Sequence, residues 1–244
     1  MTNNGFATPK MDVVSAAKDA DAIIKIRDLI KTYRSTSGEF TALQKINAEF
    51  RAGEFTAIMG KSGAGKSTLV NMISGVDSIT SGEVWVAGTP VHQLDEDRMA
   101  LWRGQTIGVV YQSFQLMPAL SLLDNVMLPM DFCGLYRSGE SEDRAMELLR
   151  MVEMEDQALK LPSAISGGQK QRAAIARALA NDPPIIVADE PTGNLDTITA
   201  DIVFDMFVHL SELGKTIIMV THDPGVSNRV HRVLHITDGQ LTEG

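Results

Sequence analysis

The chain has 244 residues, enough for one core with a subdomain, and its 44% hydrophobic content is ordinary for a globular protein. Lys and Arg total 22 against 31 Asp and Glu, a net charge of −9, which argues against a nucleic-acid partner because phosphate contacts need clustered basic side chains. The single cysteine, Cys133, excludes an internal disulfide and fits a reducing cytosol. No apolar run approaches the roughly 18 residues that span a bilayer. The start, Met-Thr-Asn-Asn-Gly-Phe, has neither the basic nor the apolar region of a secretory signal. Any membrane role is expected to come through a partner.

Residues 1–22 are polar and rich in Ala and Asp, and read as a disordered extension. Order is expected from about Ile23. Ile24, Ile26, Leu29 and Ile30 predict a strand, followed by a turn at 35–38 and further strands at 43–50 and 55–59. The last runs into a glycine loop, and 67–73 continues as a helix. Short strands are predicted at 83–86 and 107–111. From about 114 to 165 the pattern is helical, with Ala145, Leu148, Leu149 and Val152 forming one apolar stripe. Ser166 reads as the N-cap of a helix through Ala180, ended by Asn181-Asp182-Pro183. The continuous apolar run 185–188 predicts a central parallel strand. A helix over 198–213, a strand over 216–221 and a final strand pair around Asp238-Gly239 follow. The sum is a parallel α/β core interrupted by a helical insert of about fifty residues.

Residues 60–67 read Gly60-Lys61-Ser62-Gly63-Ala64-Gly65-Lys66-Ser67. The strand–loop–helix setting and the Gly-Lys-Ser ending make this a phosphate-binding loop. Its glycines permit backbone conformations that a Cβ would block, so that successive N–H groups converge on phosphate oxygens at a helix N-terminus. Lys66 supplies charge to the β- and γ-phosphates, the Ser67 hydroxyl suits Mg2+, and Thr68 is a further donor. Lys61 adds positive charge to the loop. A second anion-binding pattern, Ser166-Gly167-Gly168-Gln169, combines a hydroxyl, two glycines and a helix N-terminus. Residues 185–190 form a strand ending in two adjacent carboxylates, Asp189 and Glu190. The chain turns there, so the two need not share a role.

With these motifs in this order, together with Gln112, Asn194-Leu195-Asp196 and His222, the chain resembles the ATP-binding cassette (ABC) ATPases over about residues 24–242. The wording of 112–118, 124–129 and 189–196 is most similar to the branch that includes lipoprotein-releasing, macrolide-export and FtsE-type cell-division ATPases. Ile165 departs from the Leu that usually precedes Ser-Gly-Gly-Gln, conservatively in volume and polarity. The resemblance implies a P-loop NTPase of ABC type over residues 23–244. Its fold has a mostly parallel sheet core, an antiparallel β subdomain and a helical subdomain at about 114–165.

The resemblance also implies roles. Asp189 orients Mg2+, Glu190 is the general base toward the attacking water, and Gln112 ligates Mg2+ and its water. His222 holds base and water in register at the γ-phosphate. His92, His209, His231 and His235 read as structural or surface residues. Residues 166–169 and Asp196 would meet the ATP of a second copy in a head-to-tail dimer around two ATP. Tyr33 stands where the family stacks an aromatic ring on adenine, although packing on the core fits it too.

An integral membrane permease would dock between the insert and the Gln112 loop, with Phe114, Leu116, Leu122 and the insert's methionines (Met117, Met127, Met130, Met146, Met151, Met154) serving either docking or core. The expected function is an ATPase on the inner face of the cell membrane, cytoplasmic and peripheral, driving a separate permease. Export and mechanotransmission both use such an ATPase. A soluble ABC protein fits less well, and residues 166–169 with His222 exclude a simple P-loop kinase.

Overall fold

The computed structural model describes residues 22–36 and 38–243. The proposed disordered extension at 1–22 lies, except for Ala22, outside the described residues. Ala22 already belongs to the first strand.

Two long strands open the fold, β1 (Ala22–Ser35) and β2 (Gly38–Arg51), paired antiparallel. They join β4 (Ser81–Val86) and β5 (Thr89–Pro90) in a sheet ordered β2-β1-β4-β5. The second sheet is ordered β10-β9-β3-β8-β7-β6, from β3 (Phe55–Met59), β6 (Ile107–Tyr111), β7 (Ile185–Asp189), β8 (Thr216–Thr221), β9 (Arg232–Thr237) and β10 (Gln240–Glu243). All its pairings are parallel except that of β10 with β9. This is the predicted parallel core with an antiparallel β part.

Strand alternation divides the core in two. Phe55, Ala57, Ile186, Ala188, Ile217 and Met219 face one way, toward α3 (Leu122–Phe132), α4 (Glu140–Met151), α5 (Gly167–Ala178) and α6 (Thr197–Glu212). Ile58, Ile185, Val187, Ile218 and Val220 face the other way, toward α1 (Lys66–Ile73) and the antiparallel sheet. Strands covered on both faces must be apolar at every position, which is why 185–188 and 216–220 carry no polar alternation.

The helix starts are locally encoded. Ser121 caps α3, with its hydroxyl 3.1 Å from Asp124 N while Asp124 Oδ2 reaches back to Ser121 N at 3.3 Å. Asp196 caps α6 through Thr199 N at 3.0 Å.

Several expectations need correction. α5 ends at Ala178, two residues before the predicted end, and Leu179 forms its C-cap. Helix does not begin at 114. Residues 113–121 are a loop pinned by the fully buried Asn125, which accepts from Met117 N (2.7 Å) and donates to the carbonyls of Met117, Leu120 and Ser121. Leu122, Met130 and Met154 are core residues with no surface to offer a partner, whereas Met117 and Met151 are exposed. α2 (Glu96–Thr106), absent from the prediction, fully buries no residue and rests only Met99 and Trp102 on the core, so its clearest signal is the Asp95 cap followed by Glu96 and Asp97.

Candidate nucleotide site

The parallel register brings the start of the glycine loop and three functional side chains to one edge of the sheet. Gly60 follows β3, Gln112 follows β6, Glu190 follows β7 and His222 follows β8. The strand ends are aligned, with Met59 opposite Thr221, and Asp189 opposite both Val220 and Tyr111. The C-terminal edge of such a sheet is where ligands bind in open α/β folds.

The loop from Gly60 to Gly65 is forced by its surroundings. A Cβ on Gly60 would stand 2.4 Å from the Ile236 carbonyl oxygen. Gly65 adopts φ 108°, and a Cβ there would stand 2.7 Å from the Ala42 carbonyl oxygen. α1 starts immediately afterwards, so its free N–H groups point into the loop.

Lys66 is only 6% exposed. Its Nζ donates to the carbonyls of Gly60 (2.9 Å) and Lys61 (3.1 Å) and lies 3.3 Å from Glu190 Oε1. Glu190 Oε2 lies 3.3 Å from His222 Nδ1. Glu190 itself has φ 46°, a left-handed conformation with its N–H on the Val220 carbonyl, so the turn after β7 aims its side chain between Lys66 and His222.

Ser67 Oγ donates to Asp189 Oδ1 at 3.1 Å. Burial pushes the Asp189 carboxyl above its ordinary value; the Ser67 hydrogen bond opposes this, Glu190 adds to it and Lys66 opposes it. A hydroxyl, a carboxylate short of counter-charge and the nearby Gln112 amide form a set of hard oxygen donors, which fits Mg2+. Among the described residues no three His, Cys, Asp or Glu side chains cluster as a metal site.

A cavity of about 390 Å³ collects these groups, lined by Tyr33, Phe40, Ala42, Ser62, Gly63, Gly65, Lys66, Ser67, Thr68, Gln112, Asp189 and Glu190. A second cavity of about 590 Å³ lies at the same loop, lined by residues 59–64, His222 and residues 235–238. His235, expected to be structural or surface, is exposed and stands at this second cavity.

Neither cavity is lined by Ser166, Gly167, Gly168, Gln169 or Asp196. Ser166 is engaged as a full cap, its Oγ accepting from Gln169 N (3.3 Å) and its N–H donating to Gln169 Oε1 (2.9 Å). Gly168 makes room for α6, whereas Gly167 would take a Cβ at ordinary contact distance. A Cβ on Gly168 would lie 2.2 Å from Thr199 Cγ2, and one on Gly167 would lie 3.8 Å from Leu195 Cδ2. The Ser166 and Asp196 segments are therefore packed against each other, away from the chain's own phosphate loop.

Sequence reading missed some contacts because they join distant segments. Gln112 and Asn194 bond reciprocally, Gln112 Nε2 to Asn194 Oδ1 at 3.4 Å and Asn194 Nδ2 to the Gln112 carbonyl at 3.2 Å. Arg177, at the end of α5, donates to the carbonyls of Phe114 and Gln115 in the loop after Gln112. No local spacing announces either.

A family model described as "ABC transporter" matches residues 43–193. The chain belongs to the ABC transporter family. It is 43% identical over 223 residues to the ABC transporter ATP-binding protein MJ0796 of Methanocaldococcus jannaschii, covering 90% of this chain and 95% of that protein. It is 42% identical to the lipoprotein-releasing system ATP-binding protein LolD 1 of Chlorobium chlorochromatii, covering 91% of each. A solved dimer of MJ0796 in a post-hydrolysis state bound to ADP and Pi superposes with a TM-score of 0.83 at 42% identity, over 90% of this chain and 98% of that one. The chain is the ATP-binding subunit of an ABC transporter, and an ATPase. Among the described residues no helix is long and apolar enough to cross a membrane.

Proposed function

We propose that ATP is hydrolysed in the cavity around Lys66, in a dimer of two copies, and that the cycle drives a separate membrane permease of the export type. The observation that carries this reading is Glu190 held between Lys66 and His222 at the mouth of the phosphate loop.

The triphosphate lies along the N–H groups of 61–67, with Lys66 moving from the Gly60 and Lys61 carbonyls onto the β- and γ-phosphates. Tyr33 lies against the adenine at the other end of the cavity. Ser67, Asp189 and Gln112 hold Mg2+, which when bound neutralises charge on the phosphates. Glu190 accepts the proton of the attacking water, and His222, whose Nδ1 lies 3.3 Å from Glu190 Oε2, keeps base and water in register. Ser166 and Asp196, which are exposed, and the Gly167-Gly168 start of α5 complete the site of the second copy. The dimeric MJ0796 structures support this arrangement.

Residues 114–165 form the helical subdomain. A cavity of about 340 Å³ on its α3 face, lined by Leu120, Asp124, Met127, Leu128, Asp131 and Tyr136, together with the exposed Met117 of the preceding loop, is the docking ground for the permease. Export is supported by the names of relatives. Besides the lipoprotein-releasing relative, residues of this chain align at 38% identity with 34% of the length of the export ATP-binding/permease protein MacB of Pseudomonas entomophila.

The test is size-exclusion chromatography of Glu190→Gln with ATP and Mg2+, then capture of tagged Glu190→Gln with detergent-solubilised membranes. An ATP-dependent dimer that retains a membrane protein, and loses it when Phe114 and Met117 are made charged, supports the reading. A monomer under all conditions, or retention unaffected by the charges in a folded variant, contradicts it.

A further inference from the structure

Lys31 is 7% exposed, a rare state for a lysine. It stands two residues before Tyr33 on β1, and so on the same side of the strand. Its Nζ donates to Asp77 Oδ1 at 2.8 Å and to the Ser78 carbonyl at 2.6 Å, and lies 4.7 Å from the centroid of the Tyr33 ring. Asp77, in the turn beyond α1, uses its other oxygen for the Tyr33 hydroxyl, at 3.0 Å. The three side chains thus form a closed triangle of ion pair, hydrogen bond and cation over ring.

This triangle fixes the ring at two independent points. The cation settles how its face is directed, and the carboxylate settles where its hydroxyl end lies. The carboxylate is well held in turn: burial raises its pKa, but the hydrogen bonds from Lys31 and Tyr33 outweigh that and keep it below the ordinary value. Tyr33 nevertheless remains 40% exposed, and it lines the same cavity as Gly63, Gly65 and Thr68 of the phosphate loop. A buried ion pair adds little net stability, because desolvation offsets the attraction. Its effect here is geometric.

We infer that Lys31 and Asp77 are positioning residues for the nucleotide base, holding the Tyr33 ring in the orientation that receives it. The inference rests on the reading of Tyr33 as the adenine contact. A ring already held still need not be immobilised when the base arrives, and this preorganisation is reflected in affinity. Release of one rotamer-rich side chain corresponds to a loss of about two- to tenfold in binding. The loss falls on ligands that carry a base and spares those that carry phosphates alone.

The experiment measures dissociation constants for ATP and for inorganic tripolyphosphate, with steady-state kinetics, in the parent and in Asp77→Ala, Tyr33→Phe, their double variant and Tyr33→Ala. Asp77→Ala and Tyr33→Phe are each expected to weaken ATP about two- to tenfold. The double variant should be little worse than Asp77→Ala, because that variant already lacks the Tyr33–Asp77 bond as well as the Lys31–Asp77 pair. Tripolyphosphate binding stays within about twofold, and Asp77→Ala raises KM while kcat at saturating ATP holds. Equal losses for ATP and tripolyphosphate would mean that Asp77 acts through the phosphate loop, and would overturn the inference. So would unchanged ATP binding in both single variants when Tyr33→Ala weakens it, and that result would leave the stacking reading intact. Undiminished ATP binding by Tyr33→Ala would instead remove the stacking reading and the inference with it. Should Asp77→Ala unfold, Tyr33→Phe, which deletes one partly exposed hydroxyl, decides alone.

Discussion

Glu190 Oε1 lies 3.3 Å from Lys66 Nζ, so an ion pair ties the turn after β7 to the phosphate loop. The contact puts the proposed base next to the cation that must release it for the phosphates. Glu190→Gln keeps the volume and a hydrogen-bonding oxygen but cannot take a proton. ATP binding is expected to survive, with turnover falling about 10²–10⁴-fold, the usual contribution of a general base. Phosphate release and equilibrium ATP binding measured on the same preparation check this. Turnover within tenfold of the parent would remove Glu190 from the role.

Asp189 gives a pH signature of the opposite kind to a salt-bridged carboxylate. Burial raises its pKa in the folded chain, the Ser67 hydrogen bond only partly countering it. The folded state then binds more protons than the unfolded one just above the ordinary value of 3.8, so stability contributed by this group falls as pH rises through that window. At neutral pH the ionised carboxylate is a net cost. Asp189→Asn is therefore expected to raise the Tm of nucleotide-free protein at pH 7, and the gain should shrink toward pH 4. Melting curves of both proteins across that range decide it; a gain that grows with acidity would contradict the assignment. The same variant should lose Mg2+-dependent hydrolysis.

The contact between Gly168 and Thr199 is a steric prediction. A Cβ on Gly168 would lie 2.2 Å from Thr199 Cγ2, and Thr199 cannot rotate freely because its hydroxyl is bonded to Asp196 Oδ2 at 2.6 Å. Gly168→Ala should cost about 1–3 kcal/mol through overpacking, despite the better helix propensity of alanine. For a chain of this size that is a fall in Tm of roughly 2–4 °C per kcal/mol. Adding Thr199→Ser, which deletes only the offending methyl, should restore most of the loss. Failure of that rescue would show that the glycine is needed for something other than room.

What could be read from the sequence was what is encoded within a few residues. The loop at 60–67, the apolar runs 185–188 and 216–220, and the cap at Ser166 each announce themselves by local chemistry. The two glycines after Ser166 were legible as a motif, but the space that Gly168 leaves for α6 was not, since Thr199 is far along the chain. Nothing local marks Lys31 or Asp77, which meet only because the antiparallel sheet places β1 beside the turn after α1. α2 was hard to see because it fully buries no residue and sets only Met99 and Trp102 against the core, too short a stripe to read. His235 came to the phosphate loop only through the pairing of β9 with β3.

Arg177 links the two ends of the proposed power stroke. It stands in the last turn of α5, whose first residue follows Ser166. Burial depresses its pKa, yet the guanidinium stays charged at any working pH and bridges the carbonyls of Phe114 and Gln115. Those residues have φ of 62° and 53°, left-handed conformations that cost of order 1–3 kcal/mol each for a side chain larger than glycine. The planar fork of Arg177 is what holds them. α5 can then act as a rod: a shift imposed on the Ser166 end by a second copy is delivered to the loop carrying Gln112. Arg177→Ala should free that loop and lower stability by about 1.5–3 kcal/mol, the range for hydrogen bonds to a charged group. Arg177→Lys, with a single point of charge, should recover only part of this. Hydrogen exchange of the 112–117 amides is the measurement. In the parent it should slow when ATP and Mg2+ are added, whereas in Arg177→Ala it should be fast and indifferent to nucleotide. Nucleotide-dependent protection of 112–117 that persists without Arg177 would show that the loop receives its signal from Asn194 and Gln112 alone.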